Sequence, residues 1–170
     1  SLAQEGRSPA TTLISANRML GGLMGRGMFI TCLYGELHLR EHRFRYASAG
    51  HCPPWIFGGG APETLRAGGK PLGLFPPALF DASLVEHEVP LEPGRTLLLY
   101  TDGLVEAMDP EGRQLGEAAV AGILAARKDG AAAVEALRSA VHRHRGGREA
   151  TDDLTLLAVG RTAIRQAVPS

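Results

Sequence analysis

The 170-residue sequence predicts an α+β fold in which helices cover an antiparallel sheet. Two neighbouring segments, 28–39 and 43–48, are joined by a short polar turn, and the second alternates cleanly between apolar and polar side chains. That pattern is typical of an antiparallel hairpin. Two helical patterns follow between residues 116 and 145, and an apolar strand pattern comes last. The predicted order is therefore one helix, several strands, two helices and a strand.

The first helix is predicted from its start signals. Ser8 is a good N-cap residue, and Pro9 suits the first helical position. Glycines at positions 21, 22, 25 and 27 are expected to end the helix. The apolar residues expected on its buried face are Leu13, Ala16, Leu20 and Leu23.

The hairpin strands differ in their patterns. Segment 28–39 is apolar on both faces at its start, so we expect a central strand. The second strand places Phe44 and Tyr46 on one face and Arg43 and Arg45 on the other.

The middle of the chain contains short strands separated by turns. A strand is expected directly after Pro53 and Pro54, and residues 58–80 are expected to form a long loop with one short strand near 64–66. Further strands are predicted at residues 83–89 and in the apolar TLLLY segment, with a turn at residues 92–94 between them.

The C-terminal part predicts two helices and the last strand. The first helix spans residues 116–128, with Val120, Ile123 and Leu124 inward and Gly130 as its stop. The second spans residues 131–145, and the last strand is DDLTLLAVG. The inward residues of the second helix are expected to be Val134, Leu137 and Val141.

Composition excludes several classes of protein. Apolar residues make up 44% and charged residues 21%, and the 18 basic residues balance the 18 acidic ones. We therefore expect no nucleic-acid partner and no attraction to an anionic membrane. No apolar run approaches the roughly 18 residues of a transmembrane helix. Cys32 and Cys52 are too few for a disulfide scaffold, so a reduced cytoplasmic protein is expected.

Two acidic segments are the strongest candidates for chemistry. Asp102 follows the TLLLY strand, and Gly103 allows a sharp turn after it. Asp152 and Asp153 directly precede the last strand, where two adjacent carboxylates repel each other unless a cation or donor lies between them. Hard cations such as Mg²⁺ and Mn²⁺ prefer such oxygen ligands. The alternatives are an ordinary Asp-Gly turn and an exposed loop in which Asp153 caps the strand.

His51 is a weaker candidate. It follows Gly50 at the end of a strand, and a histidine there could act as a general acid or contact a phosphate. The local sequence favours a histidine that binds loop backbone, and Cys52 beside it is expected to pack. Residues 143–148 form a small basic cluster, which is expected to be a solvated helix end.

The segments together resemble a known family. FRYASAGHCPPWIF, GGKPLGL, LEPGRTLLLYTDGLVEAMDPEGRQLG and ATDDLTLLAVG occur in the order and spacing of the SpoIIE-type branch of metal-dependent, type 2C-like serine/threonine protein phosphatases. SPATTLISANRML also resembles the helix before the hairpin there. The resemblance covers nearly all of residues 8–160. The chain is expected to consist of a frayed linker or helix end at 1–7, a phosphatase-like domain at 8–161 that is about the C-terminal two-thirds of the family's domain, and a tail at 162–170.

The resemblance implies an α-β-β-α sandwich that holds two Mn²⁺ or Mg²⁺ ions. By position, the metal site would comprise Asp102, Gly103, Asp152 and Asp153, with Asp102 and Asp152 as the catalytic residues. Gly50 and His51 would lie on the substrate side. In the family an earlier strand pair supplies a bridging acidic residue, so the domain is expected to be incomplete at its N-terminus.

The function implied by the resemblance is hydrolysis of phosphoserine or phosphothreonine on a bacterial regulatory protein, such as an anti-sigma-factor antagonist. Relatives often follow a sensory domain, and a homodimer is left open. One alternative is a catalytically incomplete phosphatase-like module that binds a signalling partner. Another is an unrelated metal-binding α+β domain, which predicts that Asp102 and Asp152 lie far apart.

Overall fold

A computed structural model describes residues 6–21, 23–25, 27–150 and 152–160. The chain divides into two compact units, one of Ser1–Pro53 and Arg66–Pro90 and one of Pro54–Leu65 and Leu91–Ser170. In the part of the chain that the structure describes, none of the helices has the length and hydropathy of a membrane span. The elements are α1 (Pro9–Leu20), β1 (Cys32–His38), β2 (Arg43–Ala49), β3 (Trp55–Phe57), β4 (Glu63–Thr64), α2 (Pro77–Asp81), β5 (Glu86–Pro90), β6 (Thr96–Tyr100), α3 (Gly116–Ala125), α4 (Gly130–Arg145) and β7 (Leu156–Gly160).

The first unit is a three-stranded antiparallel sheet, ordered β1-β2-β5, with α1 packed against β1 and β2. The predicted hairpin is confirmed, since Cys32 lies opposite Ala49 and His38 opposite Arg43. The predicted N-cap is also confirmed, because the Ser8 hydroxyl accepts from the Thr11 amide. The buried core of this unit contains Leu13, Ala47, Ala49, Leu72 and Phe80.

The two faces of β2 follow the predicted alternation. Phe44 and Tyr46 are buried and stack with ring centroids 5.0 Å apart. Arg43 and Arg45 form ion pairs with glutamates of the neighbouring strand β5. The alternation therefore separates a buried aromatic face from a charged face.

The second unit is a four-stranded antiparallel sheet, ordered β4-β3-β6-β7. Helix α4 packs against β7 and β6, and α3 packs against α4. The buried residues of this unit include Trp55, Leu97, Leu98, Val120, Leu124, Leu137 and Val141. The predicted inward faces of the two helices are confirmed at these positions, although Ile123 and Val134 are only half-buried. Together the units confirm the α+β class with antiparallel sheets and helices.

The prediction of a central strand at 28–39 is wrong. β1 begins at Cys32 and is an end strand of its described sheet. Met28, Phe29 and Ile30 are 61%, 54% and 44% exposed, and Ile30 makes only an isolated bridge to Leu72. An apolar run does not by itself show which residues join a strand or which strand edges are paired.

The predicted stop at Gly130 is also wrong. Helix α3 ends at Ala125, and Gly130 is the first residue of α4. The Asp129 side chain accepts from the amides of Ala131 and Ala132, which makes it a strong N-cap. A Cβ on Gly130 would lie 3.0 Å from the Cβ of Ala158, so glycine lets the helix start approach β7 closely.

Smaller corrections concern boundaries. Helix α1 ends at Leu20, so Leu23 lies beyond it and is 81% exposed. The short strand in the loop lies at Glu63–Thr64, and β5 begins at Glu86 rather than at residue 83. Helix α2 was not predicted; Pro77 lies at its start, where a missing amide costs no hydrogen bond. Residues 1–5, Gly22 and the predicted tail at 162–170 lie outside the described residues.

Candidate metal centre

Asp102 lies two residues beyond the end of the buried strand β6. Its side chain is exposed, and one carboxylate oxygen accepts from the Gly103 amide at 3.0 Å. The chain turns here, because the Leu104 amide donates to the Thr101 carbonyl and the Glu106 amide donates to the Asp102 carbonyl. Leu104 is fully buried, so the turn is anchored in the core while the carboxylate faces solvent.

Asp152 and Asp153 immediately precede the region where β7 joins β6. Both residues are exposed, and the Asp153 amide donates to the Asp152 carboxylate at 2.7 Å. Since β6 and β7 are antiparallel, the end of β6 lies beside the start of β7. The pairing continues beyond the strands, because the Thr101 amide donates to the Thr155 carbonyl at 3.1 Å.

The Thr101 side chain joins the two acidic segments. Its hydroxyl donates to the Asp153 carbonyl at 2.8 Å and accepts from the Thr155 amide at 2.9 Å. A hydroxyl can do both because it has one donor and two lone pairs. Sequence reasoning missed Thr101. A hydroxyl residue between an apolar strand and an aspartate was the available signal, but its partners become neighbours only in the folded chain.

Gly103 brings the backbones of the two acidic segments close together. A Cβ at this position would lie 2.5 Å from the Asp153 carbonyl oxygen and 3.6 Å from the Asp152 carbonyl oxygen. The two acidic segments therefore touch through their backbones. We call Asp102, Asp152 and Asp153 the acidic edge. The expectation that their strands are neighbours is confirmed, and the prediction of a distant pair is wrong.

Gly50 and His51 belong to the first unit and form the turn that leaves β2. The His51 amide donates to the Ser48 hydroxyl at 3.2 Å, and the His51 Nδ1 atom lies 3.2 Å from the Thr31 hydroxyl. Gly50 has a φ of +73°, and a Cβ there would lie 2.9 Å from the Pro71 ring. These contacts account for the turn. A substrate-side role for either residue stays a prediction.

The donor chemistry of the acidic edge fits a hard divalent cation. Its three exposed carboxylates supply oxygen ligands, which Mg²⁺ and Mn²⁺ prefer. Within the described part of the chain, no three acidic, histidine or cysteine side chains are arranged to hold an ion. Mg²⁺ is commonly bound through one or two carboxylates, with water and phosphate oxygens as the other ligands. The edge fits that kind of partial, open site.

A further carboxylate in this segment has a structural role. Asp109 is only 5% exposed and accepts from the Arg113 backbone amide at 2.8 Å and from the Arg113 guanidinium at 2.7 Å. The amide hydrogen bond, followed by the guanidinium, lowers the pKa of Asp109 below its ordinary value. Asp109 is thus satisfied by the turn that it closes.

The protein family of this chain is identified by a match to a family model. The model of the SpoIIE family, described as Stage II sporulation protein E, matches residues 1–162. The chain belongs to the SpoIIE family. This membership excludes an unrelated metal-binding domain.

Relatives and solved structures agree with the family. The SpoIIE-family chain is 31% identical over 114 residues to the phosphoserine phosphatase RsbU of Bacillus subtilis (strain 168), which is 66% of this chain and 33% of RsbU. It thus spans about one third of that curated relative's length. The SiaA-PP2C domain of Pseudomonas aeruginosa matches with a TM-score of 0.76 and 22% identity, over 93% of this chain and 62% of that one.

The manganese-presoaked phosphatase domain of the cell fate determinant SpoIIE from Bacillus subtilis matches with a TM-score of 0.67 and 19% identity. That match covers 99% of this chain and 74% of the other. At these identities the structures show the fold alone, and the fold is that of a PP2C-type phosphatase domain.

Proposed function

We propose that this SpoIIE-family chain is a metal-dependent protein phosphatase that hydrolyses phosphoserine or phosphothreonine on a bacterial regulatory protein. The observation that carries the proposal is the meeting of Asp102 with Asp152 and Asp153 where β6 ends and β7 begins. The matched relative RsbU is named a phosphoserine phosphatase, which favours phosphoserine as the group removed. An anti-sigma-factor antagonist is the proposed kind of substrate.

In the proposed mechanism, the candidate residues hold the ions, position the two acidic segments or contact the substrate. Asp102 and Asp152 would hold the divalent ions, with Asp153 beside them. When bound, Mn²⁺ or Mg²⁺ ions lower the pKa of a coordinated water and neutralise phosphate charge. Thr101 fixes the spacing of the two acidic segments, and Gly103 allows their close approach. Gly50 and His51 are proposed to contact the substrate.

A second candidate function is supported by one observation. The described residues contain no group of three side chains arranged to hold an ion. A phosphatase-like module that binds a phosphorylated partner without turnover would need no complete metal site. Metal binding and turnover must therefore be measured separately.

The experiment is hydrolysis of p-nitrophenyl phosphate with added Mn²⁺, comparing the parent chain with Asp102→Asn. Asp129→Asn is the matched control, because asparagine is as good an N-cap as aspartate and Asp129 caps α4. We expect Mn²⁺-dependent turnover in the parent and control. In Asp102→Asn we expect a loss of about a hundredfold or more, since metal stabilisation contributes several kcal/mol.

Calorimetric titration with Mn²⁺ separates the two candidates. Binding with turnover, both lost in Asp102→Asn, supports the phosphatase. Absence of turnover, with or without Mn²⁺ binding, supports the partner-binding module. If the parent chain shows no Mn²⁺ binding and no turnover, the assignment of the acidic edge as a metal site in this chain is wrong.

A further inference from the structure

Helix α4 borders a groove that the metal centre does not explain. The groove has a volume of about 410 Å³ and lies in the second unit. Its polar lining is mainly cationic, and no acidic residue lines it. We call it the basic groove. The residues that line it are Arg138, Ser139, Val141, His142, Arg143, Arg145 and Leu154.

Most of the positive charge in the basic groove has no partner within the described residues. Arg138 is held by Glu135 through two hydrogen bonds of 3.1 and 2.9 Å. The side chains of Arg143, Arg145 and His142 make no hydrogen bond or ion pair in the part of the chain that the structure describes. The helix dipole favours cations in the last turn of α4. The helix dipole does not explain why the surface is concave. It also does not explain the position of Arg138, which lies more than one turn before the end of the helix.

The groove is long enough for a peptide. A second concavity of about 650 Å³, lined by residues of α3 and α4, shares Ser139 and Arg143 with the first and extends along α4 to Ala132. Its lining includes one acidic residue, Glu135, which is already paired with Arg138. The stretch from Ala132 to Arg145 corresponds to roughly 20 Å of helix, which equals about six residues of extended chain. A short extended segment therefore matches the length of the surface.

One residue of the basic groove is adjacent in sequence to the acidic edge. Leu154 lines the groove and directly follows Asp153 in the chain. A phosphoprotein bound at the acidic edge could therefore also contact α4, through a part of its surface other than the phosphorylated residue.

We propose that the basic groove binds an acidic segment of the phosphoprotein substrate. The proposal rests on the proposed phosphatase function and names the class of substrate that the site selects. Charge complementarity carries it, because partnerless arginines in a groove attract carboxylates. Nucleic acid fits less well: no Phe, Tyr or Trp lines the groove for base stacking, and the whole chain has a formal net charge of zero.

The first test measures binding without turnover. Fluorescence anisotropy would follow a labelled hexaglutamate peptide, with hexaglutamine as the neutral control. We expect hexaglutamate alone to bind, and the double variant Arg143→Glu/Arg145→Glu to bind about tenfold more weakly or worse. Arg40→Glu, in the β1–β2 turn, is the matched charge change outside the groove and should bind as the parent does. Raising the ionic strength from about 0.05 to about 0.5 M should weaken binding.

Three results would overturn the proposal. The first is no binding of hexaglutamate by the parent chain. The second is equal loss of affinity in Arg40→Glu. The third is tighter binding of a single-stranded RNA hexamer than of hexaglutamate, which would assign the groove to nucleic acid. All three are independent of catalysis, so failure of the proposed phosphatase activity would not be mistaken for failure of the groove.

The second test uses turnover. For a phosphoserine peptide with an acidic flank, we expect the double variant to lower kcat/KM about tenfold, chiefly through KM. Its rate on p-nitrophenyl phosphate, which is too small to reach the groove, should stay unchanged. Equal losses on both substrates would show that the substitutions damage the site itself and would contradict a docking role.

Discussion

Replacement of Gly103 by alanine tests the closest contact in the candidate site. The added Cβ would lie 2.5 Å from the Asp153 carbonyl oxygen, so the two atoms must separate by at least about 0.5 Å to reach 3.0 Å. Both partners are backbone of buried or hydrogen-bonded turns, so neither moves without disturbing its neighbours. Gly103 is not among the glycines with positive φ, so the penalty is purely steric. We expect a loss of about 1–3 kcal/mol in the free energy of unfolding.

Urea unfolding followed by Trp55 fluorescence measures this loss directly. Trp55 is the only tryptophan, is 5% exposed and belongs to the same unit as Gly103. With an m-value near 2 kcal/mol/M, a loss of about 2 kcal/mol lowers the midpoint by about 1 M. The control is Gly122→Ala in α3, where a Cβ meets nothing within 4 Å. It should raise stability by about 0.5–1 kcal/mol, because alanine favours helix.

The directions of the midpoint changes in Gly103→Ala and Gly122→Ala test whether the close contact at Gly103 is fixed. A Gly103→Ala midpoint equal to or above that of the parent would show that the two segments separate without penalty. The close approach of Asp102 to Asp152 and Asp153 would then not be a fixed feature of the fold.

Two further changes test neighbouring contacts. Thr101→Val leaves the Asp153 carbonyl and the Thr155 amide without their hydroxyl partner. It should lower the free energy of unfolding by about 1–2 kcal/mol in the same urea assay. Thr101→Ser keeps the hydroxyl and should retain most of the stability. Equal midpoints for the two variants would contradict this role of Thr101. Asp109→Asn should lose stability at neutral pH, because the pKa of Asp109 is lowered in the folded state. Its stabilising effect is present above the ordinary aspartate pKa of about 3.9 and is lost as pH falls through the lower folded value. The midpoints of parent and variant should therefore converge in acid, and a constant difference down to pH ~2 would refute the assignment.

Local signals predicted much of the fold because they act within a few residues. Ser8 and Pro9 start α1 through contacts inside the first turn, and the alternation around Phe44 and Tyr46 fixes which face of β2 is buried. The hairpin register then follows from the turn between the strands.

The errors arose where two local signals competed or where pairing was decided at long range. Gly130 follows a helix and resembles a stop, but Asp129 before it caps the next helix with two hydrogen bonds. Met28 and Phe29 are apolar and resemble the start of a central strand, yet both are mainly exposed. The first outcome is set by the adjacent cap residue, whereas the second depends on strand pairing at long range.

The candidate site also contains both residues that a local signal indicates and residues whose contacts form only in the folded chain. Asp102, Asp152 and Asp153 are predicted as candidates because each lies at the tip of an apolar strand, a pattern visible within a short window, and their metal-binding role stays a prediction. Thr101 was not found, because its role is defined only by its partners in another segment. Candidate residues are therefore easier to predict than the contacts that position them.

The Thr101–Asp153 hydrogen bond joins residues 52 positions apart in the chain. The acidic edge thus forms only when the residues between its two segments have closed into a loop, which has an entropic cost that local contacts do not have. During synthesis, Asp102 emerges from the ribosome well before Asp152. A partly made chain would expose one isolated carboxylate turn, and the edge would form only after β7 had paired with β6.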